Sequence, residues 1–194
     1  MVKDLRTKTG AGMMDCKEAL TASAGDVEKA IEYLRKKGMS AATKRSSKAA
    51  KEGVVSSYIH MGGRIGVMVE VNCETDFVAK TEDFQAMSKD IAMHVAASNP
   101  LFLKPEEIPP EVMEREKEIY RSQAMAEKKP EKIWERIIEG KLKKYYEEVC
   151  LLQQKFIKNT DITVETLVNN MIAKTGENIV VRRFARFQLG EDLK

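Results

Sequence analysis

The sequence predicts an α+β protein, with an N-terminal three-helix domain followed by a core of helices packed on a small antiparallel sheet. The prediction rests on the spacing of apolar residues, which changes along the chain. Over the first 38 residues they recur every three or four positions, as on one face of a helix. Over residues 53–73 they alternate, as in strands, and from about residue 81 they return to helical spacing. A run rich in β-branched and aromatic residues, 179–189, can add a third strand.

Three short helices fit the N-terminal domain, residues 1–38. Leu5 anchors the first helix, and the second runs from about Met13 to Ala22. Asp26 is the expected N-cap of the third, and Gly38 is its expected C-terminal stop. The third helix carries an apolar stripe at positions i, i+3, i+4 and i+7: Val27, Ala30, Ile31 and Leu34.

Residues 39–52 are predicted to form a basic linker with helical tendency, because they are rich in Ala, Ser, Thr and Lys. The net charge of the chain is +3, but it is uneven. Residues 1–52 hold 12 Lys and Arg against 7 Asp and Glu, whereas residues 53–194 hold 21 against 23. Two interpretations of the basic stretch stay open: a solvated linker, or a contact with nucleic acid or an acidic protein surface.

The α+β core, residues 53–194, is predicted to begin with a β-hairpin whose turn contains Gly62 and Gly63. The second strand should present one apolar face, formed by Ile65, Val67, Val69, Val71 and Cys73. Further helices are expected from about Thr81 to Ser98, from Glu111 to Glu127, after Pro130 with a possible break at Gly140, and between Thr163 and Gly176. The stretch 149–157 stays ambiguous.

Composition excludes several classes of protein. Hydrophobic residues make up 43% and charged residues 32%, as in an ordinary globular domain. No apolar run approaches the ~18 residues of a membrane span, and the N-terminus lacks the apolar core of a signal peptide. Three widely spaced cysteines without a Cys-x-x-Cys pair indicate reduced thiols. We therefore expect a cytoplasmic protein that does not contact a membrane.

No set of residues suited to catalysis is present, so the sequence predicts neither an enzyme nor a cofactor or metal site. It has no Gly-rich phosphate loop, nucleophile elbow or zinc-ligand spacing. His94 follows Asp90 by four residues and is expected on a helix surface, and His60 is expected to be exposed beside the hairpin turn. Glu74 and Asp76 have no His, Lys or metal-ligand set nearby to work with.

The alternative function is a nucleic-acid-binding module. Arg and Phe mix in the segment 182–187, where they can stack bases, and residues 36–51 are basic. A strand with one buried and one solvated face gives the same pattern. Because the overall charge is weak, we expect no direct binding of nucleic acid.

The segment Thr75-Asp76-Phe77-Val78 is the most informative stretch of the chain. It places an acid and a large ring where a strand should end and a turn begin. Folding gains little from a large ring at a turn. Phe77 therefore either covers its own core or is free for the pocket of a partner.

Four stretches together resemble the elongation factor Ts family, the nucleotide exchange factors for elongation factor Tu. They are Thr9-Gly-Ala-Gly-Met-Met-Asp-Cys-Lys-Glu-Ala-Leu20, Arg64-Ile-Gly-Val-Met-Val-Glu-Val-Asn-Cys-Glu-Thr-Asp-Phe-Val-Ala79, Ile91-Ala-Met-His-Val-Ala-Ala97 and Lys174-Thr-Gly-Glu-Asn-Ile-Val-Val-Arg-Arg183. They occur in the family's order and span nearly the whole chain. Only one core module is present, as in the compact form of the family.

The resemblance implies a fold and a function. The N-terminal unit would be like a ubiquitin-associated domain and would dock on the nucleotide-binding domain of elongation factor Tu, with Met13 and Met14 helping. Thr75 to Val78 would enter between helices near the nucleotide, with Asp76 and Phe77 as the wedge. Binding to GDP-bound and nucleotide-free Tu would disturb the Mg²⁺ and phosphate site and release GDP without covalent chemistry. As in compact relatives, a homodimer could supply the second module.

Overall fold

The computed structural model describes residues 1–192 and confirms the α+β class. The helices are α1 (Val2–Thr9), α2 (Met13–Ala22), α3 (Val27–Arg45), α4 (Asp76–Ala79), α5 (Glu82–Ser98), α6 (Pro110–Ala126), α7 (Trp134–Val149) and α8 (Val164–Thr175). The strands are β1 (Glu52–Ile59), β2 (Ile65–Cys73), β3 (Lys155–Phe156), β4 (Asn159–Thr163) and β5 (Val180–Gln188).

The first three helices pack around a small apolar cluster: Leu5, Cys16, Ala19, Leu20, Ala30 and Leu34. The predicted N-cap of α3 is present. The Asp26 side chain accepts a hydrogen bond from the Lys29 backbone N–H at 3.1 Å. An ion-pair network then ties α2 to α3, because Lys37 lies 2.9 Å from Asp15 and 2.6 Å from Glu18. The unit therefore has its own core and its own polar links.

Gly38 does not end α3, so that prediction was wrong. The helix continues through the first half of the predicted linker to Arg45. Gly38 is buried where α3 packs on α8, and Ala41 and Ala42 lie against the large core of the protein. Tertiary packing of good helix formers thus overrides the stop signal of one glycine. One continuous helix joins the N-terminal unit to the core.

A three-stranded antiparallel sheet in the order β1-β2-β5 forms the centre of the core. The predicted hairpin and the predicted third strand are both confirmed. Val67, Val69 and Val71 of β2 are fully buried against α5. The helix meets them with Phe84, Ile91 and Val95, which are also fully buried. Only one face of the sheet is covered in this way.

Helices α6 and α7 pack on each other and lie between α5 and β3 in the chain. Gly140 lies inside α7 without interrupting it. Residues 149–157, which the sequence left ambiguous, contain a turn of 3₁₀ helix and the short strand β3. This strand pairs with β4 to make a second, two-stranded sheet that the sequence did not predict.

His94 is fully buried, so its predicted place on a helix surface was wrong. Its Nδ1 accepts the Ile157 backbone N–H at 3.3 Å, and its Nε2 lies 2.9 Å from Gln154 Oε1. These contacts require a neutral ring with the proton on Nε2. Asp90, which lies four residues earlier and could have paired with His94, instead binds Lys158 at 2.6 Å. Burial lowers the pKa of His94, and the hydrogen bond to Gln154 opposes that shift.

We predict that the protein loses stability as the pH falls from 7 to 5. The pKa of His94 is lower in the folded than in the unfolded chain, so protonation favours unfolding once the pH drops below the unfolded value of about 6.5. The slope of the free energy of unfolding should reach at most about 1.4 kcal/mol per pH unit. Urea unfolding of the wild type and of His94→Gln measures it.

His60→Gln is the matched control, because His60 is exposed at the hairpin end. That variant should keep the slope of the wild type, whereas His94→Gln should flatten it between pH 7 and 5. Equal slopes in all three proteins would contradict the assignment to His94.

Candidate partner-binding site

Phe77 projects from the protein into solvent. Phe77 is 80% exposed, although Cys73, four residues earlier at the end of β2, is fully buried. It lies on α4, a single helical turn between β2 and α5. Phe77 therefore does not cover its own core, which was one of the two alternatives from the sequence. The other alternative, a ring left free for a partner, is consistent with this exposure.

Local capping produces the turn that carries Phe77. The Thr75 side chain accepts a hydrogen bond from the Val78 backbone N–H at 3.4 Å and so caps the start of α4. Thr81 closes the other end, since its hydroxyl donates to the Val78 carbonyl at 2.8 Å. Val78 packs against the large core, and Ala79 is buried in it. One side of the turn is thus anchored and the other presents Phe77.

Asp76 also lies on the exposed side of this turn. Its carboxylate accepts a hydrogen bond from Lys80 Nζ at 2.6 Å. That bond lowers the pKa of Asp76, and Asp76 in turn raises the pKa of Lys80. Both side chains are at least half exposed, so the pair is solvent-screened. The exposed side of the turn therefore carries the apolar ring of Phe77 beside the ion pair of Asp76 and Lys80.

Two glutamates from distant parts of the chain hold the segment that leads into α4. Glu177 Oε2 accepts the backbone N–H groups of Glu74 and Thr75, each at 3.1 Å. Glu177 Oε1 accepts the Thr75 hydroxyl at 2.7 Å. In the other direction, Glu74 Oε1 accepts the Asn178 backbone N–H at 2.6 Å. We call this reciprocal set of bonds the glutamate clasp.

The clasp also reaches the end of α3. Glu74 Oε2 lies 3.6 Å from Arg45, and Asn178 Nδ2 donates to the Lys48 carbonyl at 2.7 Å. Sequence reasoning missed Glu74, Glu177 and Arg45 as parts of the site. The only signal was that Glu74 and Glu177 each fall within one of the stretches that carry the resemblance.

Met13 and Met14, the predicted docking residues, lie at the start of α2 with exposed side chains. Met13 is 48% and Met14 is 73% exposed. They belong to the N-terminal unit, whereas Thr75 to Val78 belong to the core. The structure thus leaves apolar side chains exposed at both predicted contact points, and α3 connects the two units that carry them.

The arginines of the alternative nucleic-acid site have partners within the protein. Arg183 Nε lies 2.7 Å and Arg182 Nε lies 3.8 Å from the Glu70 carboxylate. Arg186 donates to the Ala96 carbonyl near the end of α5, at 3.4 Å from Nε. Glu70 therefore engages two of the three arginines and offsets part of their positive charge, which weakens the case for a phosphate-binding strand.

Residues 1–192 contain no group of three or more His, Cys, Asp or Glu side chains placed to hold a metal ion. Within the same residues, no helix is both long and apolar enough to span a bilayer. Cys16, Cys73 and Cys150 are free and buried. Burial raises the pKa of each thiol, to about 11 for Cys150.

The family model described as Elongation factor TS matches residues 6–191. The chain is 82% identical to elongation factor Ts of Syntrophus aciditrophicus (strain SB) over 194 residues, which cover all of this chain and 96% of that protein. It is 62% identical to elongation factor Ts of Moorella thermoacetica, covering 99% of this chain and 95% of the other. With elongation factor Ts of Heliobacterium modesticaldum the identity is 59%, over 100% and 90%.

Proposed function

Because the chain belongs to the elongation factor Ts family, we propose that it binds elongation factor Tu and promotes release of GDP during translation elongation. The observation that carries the proposal is the 80% exposed ring of Phe77 on a turn that is otherwise anchored to the core. A solvated phenyl ring costs free energy that a partner's pocket would recover. The turn keeps the ring in solvent, where such a pocket could bind it.

The proposed mechanism is a wedge against the magnesium site. A P-loop GTPase holds its nucleotide through backbone N–H groups, a lysine and a Mg²⁺ that bridges protein and phosphate oxygens. Mg²⁺ requires near-ideal octahedral geometry, so a small displacement of its surroundings is costly. Insertion of Phe77, with Asp76 beside it, would shift a helix of Tu and loosen these contacts. No covalent bond is made or broken, so the protein is not an enzyme in this scheme.

Binding to both forms of Tu follows from the same scheme. The exchange factor would meet GDP-bound Tu and then stabilise the nucleotide-free form. Linkage requires that nucleotide and exchange factor weaken each other's binding by the same factor. Met13 and Met14 would dock the N-terminal unit and add affinity that does not depend on the wedge. We place this activity in the cytoplasm, with no direct binding of nucleic acid.

We predict that the double substitution Asp76→Ala/Phe77→Ala abolishes most of the exchange activity while leaving the fold intact. Both side chains are largely exposed, so their loss removes no core packing. The measurement is the release rate of a fluorescent GDP analogue from elongation factor Tu, with and without the chain.

Met61→Ala is the matched control, because Met61 is an 86% exposed apolar residue at the turn between β1 and β2. That variant should release GDP as fast as the wild type. Full activity in the Asp76/Phe77 variant would remove these residues from the site. If the wild type itself has no effect on release, the proposed function is wrong.

We also propose that two copies of the chain form a homodimer through the uncovered face of the three-stranded sheet. Val55, Met68 and Phe187, one from each strand, are 60%, 52% and 68% exposed on that face. In the register, Met68 of the central strand pairs with Ser57 on one side and Ala185 on the other. Met68 thus has small neighbours on both sides, and the Glu70–Arg183 ion pair lies further along the same face. Exposed apolar side chains on all three strands suit packing of one sheet on another.

Met68→Asp should shift the protein toward a monomer, because it would bury a charge at the centre of the interface. Sedimentation velocity at several micromolar concentrations measures the effect, and Met61→Asp, outside the sheet face, serves as the control. A wild type that sediments as a monomer throughout would contradict the dimer.

A further inference from the structure

We propose that Glu177 is a positioning residue for Phe77, and that its carboxylate sets how efficiently the ring acts in nucleotide exchange. The inference rests on the proposed function, because it concerns the orientation in which Phe77 meets its partner. Glu177 is 100 residues further along the chain than Phe77. The two are linked through the bonds of Glu177 to Glu74 and Thr75, at the start of the turn that carries Phe77.

The turn cannot hold its own orientation. Helix α4 has four residues, which is one turn, and isolated turns of helix are unstable because nucleation fixes several dihedral angles for one hydrogen bond. The Phe77 ring, being 80% exposed, gains little packing that would orient it. Val78 and Ala79 anchor one side of the turn in the core, so the direction of the ring depends on that anchor and on the backbone that leads into the turn, at Glu74 and Thr75.

Glu177 holds that backbone with both oxygens of its carboxylate. One carboxylate oxygen accepts the two consecutive N–H groups of Glu74 and Thr75, and the other accepts the Thr75 hydroxyl. Because the hydroxyl proton points to Glu177, a lone pair of Thr75 Oγ1 is left for the Val78 N–H, which it caps at 3.4 Å. Glu177 thus aligns both the entry into α4 and its N-cap.

Glu177 is itself fixed by three elements. It follows Gly176, the C-cap of α8, whose N–H donates to the Ile172 carbonyl at 2.8 Å. Its neighbour Asn178 is bound to the Glu74 carboxylate and to the Lys48 carbonyl beyond α3. The residues on both sides of Glu177 are therefore held by hydrogen bonds, as a positioning role requires.

A double-mutant cycle separates positioning from simple stabilisation. Glu177→Ala and Glu177→Gln are made in the wild type and in Phe77→Ala, and both GDP release from elongation factor Tu and the Tm are measured. We expect Glu177→Ala to slow release about 10-fold to 100-fold, because hydrogen bonds to a charged group are lost. Glu177→Gln should keep more activity, since its amide oxygen can still accept the two backbone N–H groups.

In the Phe77→Ala background the same Glu177 substitutions should cause no further loss of exchange, although they lower the Tm by the same amount as in the wild type. Gln154→Ala is the control for lost stability, because Gln154 is a buried residue that bonds His94 and the Glu148 carbonyl, outside the clasp. It should lower the Tm and leave the release rate unchanged.

Amide hydrogen exchange gives a readout that does not depend on Tu. In Glu177→Ala the amides of Val78 and Ala79 should exchange faster, while that of Ile91 in α5 keeps its protection relative to global unfolding. Unchanged protection in α4, or equal losses of exchange activity from Glu177→Ala in both backgrounds, would overturn the positioning role.

The outcomes for the two proposals are distinct. Loss of activity in Phe77→Ala with full activity in Glu177→Ala would leave the exchange function standing and refute the role of Glu177. A wild type that does not accelerate GDP release would refute the exchange function, and the role of Glu177 in it would fall as well.

Discussion

The register of β2 determines where the turn that carries Phe77 lies. Val67, Val69 and Val71 of this central strand are buried against α5, and a slip by one residue would turn all three toward solvent. Each exposed side chain would cost roughly 1.5–3 kcal/mol, so only one register is populated. The strand then delivers Cys73, whose thiol donates to the Thr75 carbonyl at 3.1 Å, and Thr75 at a fixed point beside Glu177. The exposed ring is placed by a buried strand.

Features that depend on a few neighbouring residues could be predicted from the sequence. The alternation of β2, the Asp26 cap and the final strand all follow from local patterns, and the structure confirms them. Thr75 to Val78 stood out because an acid and a large ring follow a predicted strand, and their proposed role came from the resemblance to a family to which the chain is now shown to belong. The capping role of Thr75 is the local part of the site, because its partner is only three residues away.

Features that depend on distant partners could not be predicted. Gly38 carries the ordinary signal of a helix end, and only the packing of α3 on α8 reverses it. His94 has the sequence context of an exposed residue, but Gln154 and Ile157, about 60 positions away, satisfy both of its ring nitrogens. Glu177 and Thr75 are 102 residues apart, so no periodicity or spacing connects them. The glutamate clasp therefore forms only when the folded chain brings these residues together.

The exchange mechanism needs an apolar group whose burial depends on the state of the partner. Placing the Phe77 ring in a pocket that opens only in nucleotide-free Tu would supply roughly 1.5–3 kcal/mol. That free energy corresponds to about a 10-fold to 150-fold preference for the empty state. A residue that is buried equally in both states would add affinity but would not release GDP. Under the proposed mechanism, Phe77 would act as a wedge only through this difference.

The most direct measurement of that difference is a pair of binding titrations, in which the wild type and Phe77→Ala are each titrated against nucleotide-free and GDP-bound elongation factor Tu. If Phe77 is the wedge, the wild type binds the empty form far more tightly than the GDP form, and Phe77→Ala reduces this ratio by weakening binding to the empty form. If the substitution weakens binding to both forms by the same factor, the ratio is unchanged. Phe77 would then be a simple contact residue, and the central claim would be wrong.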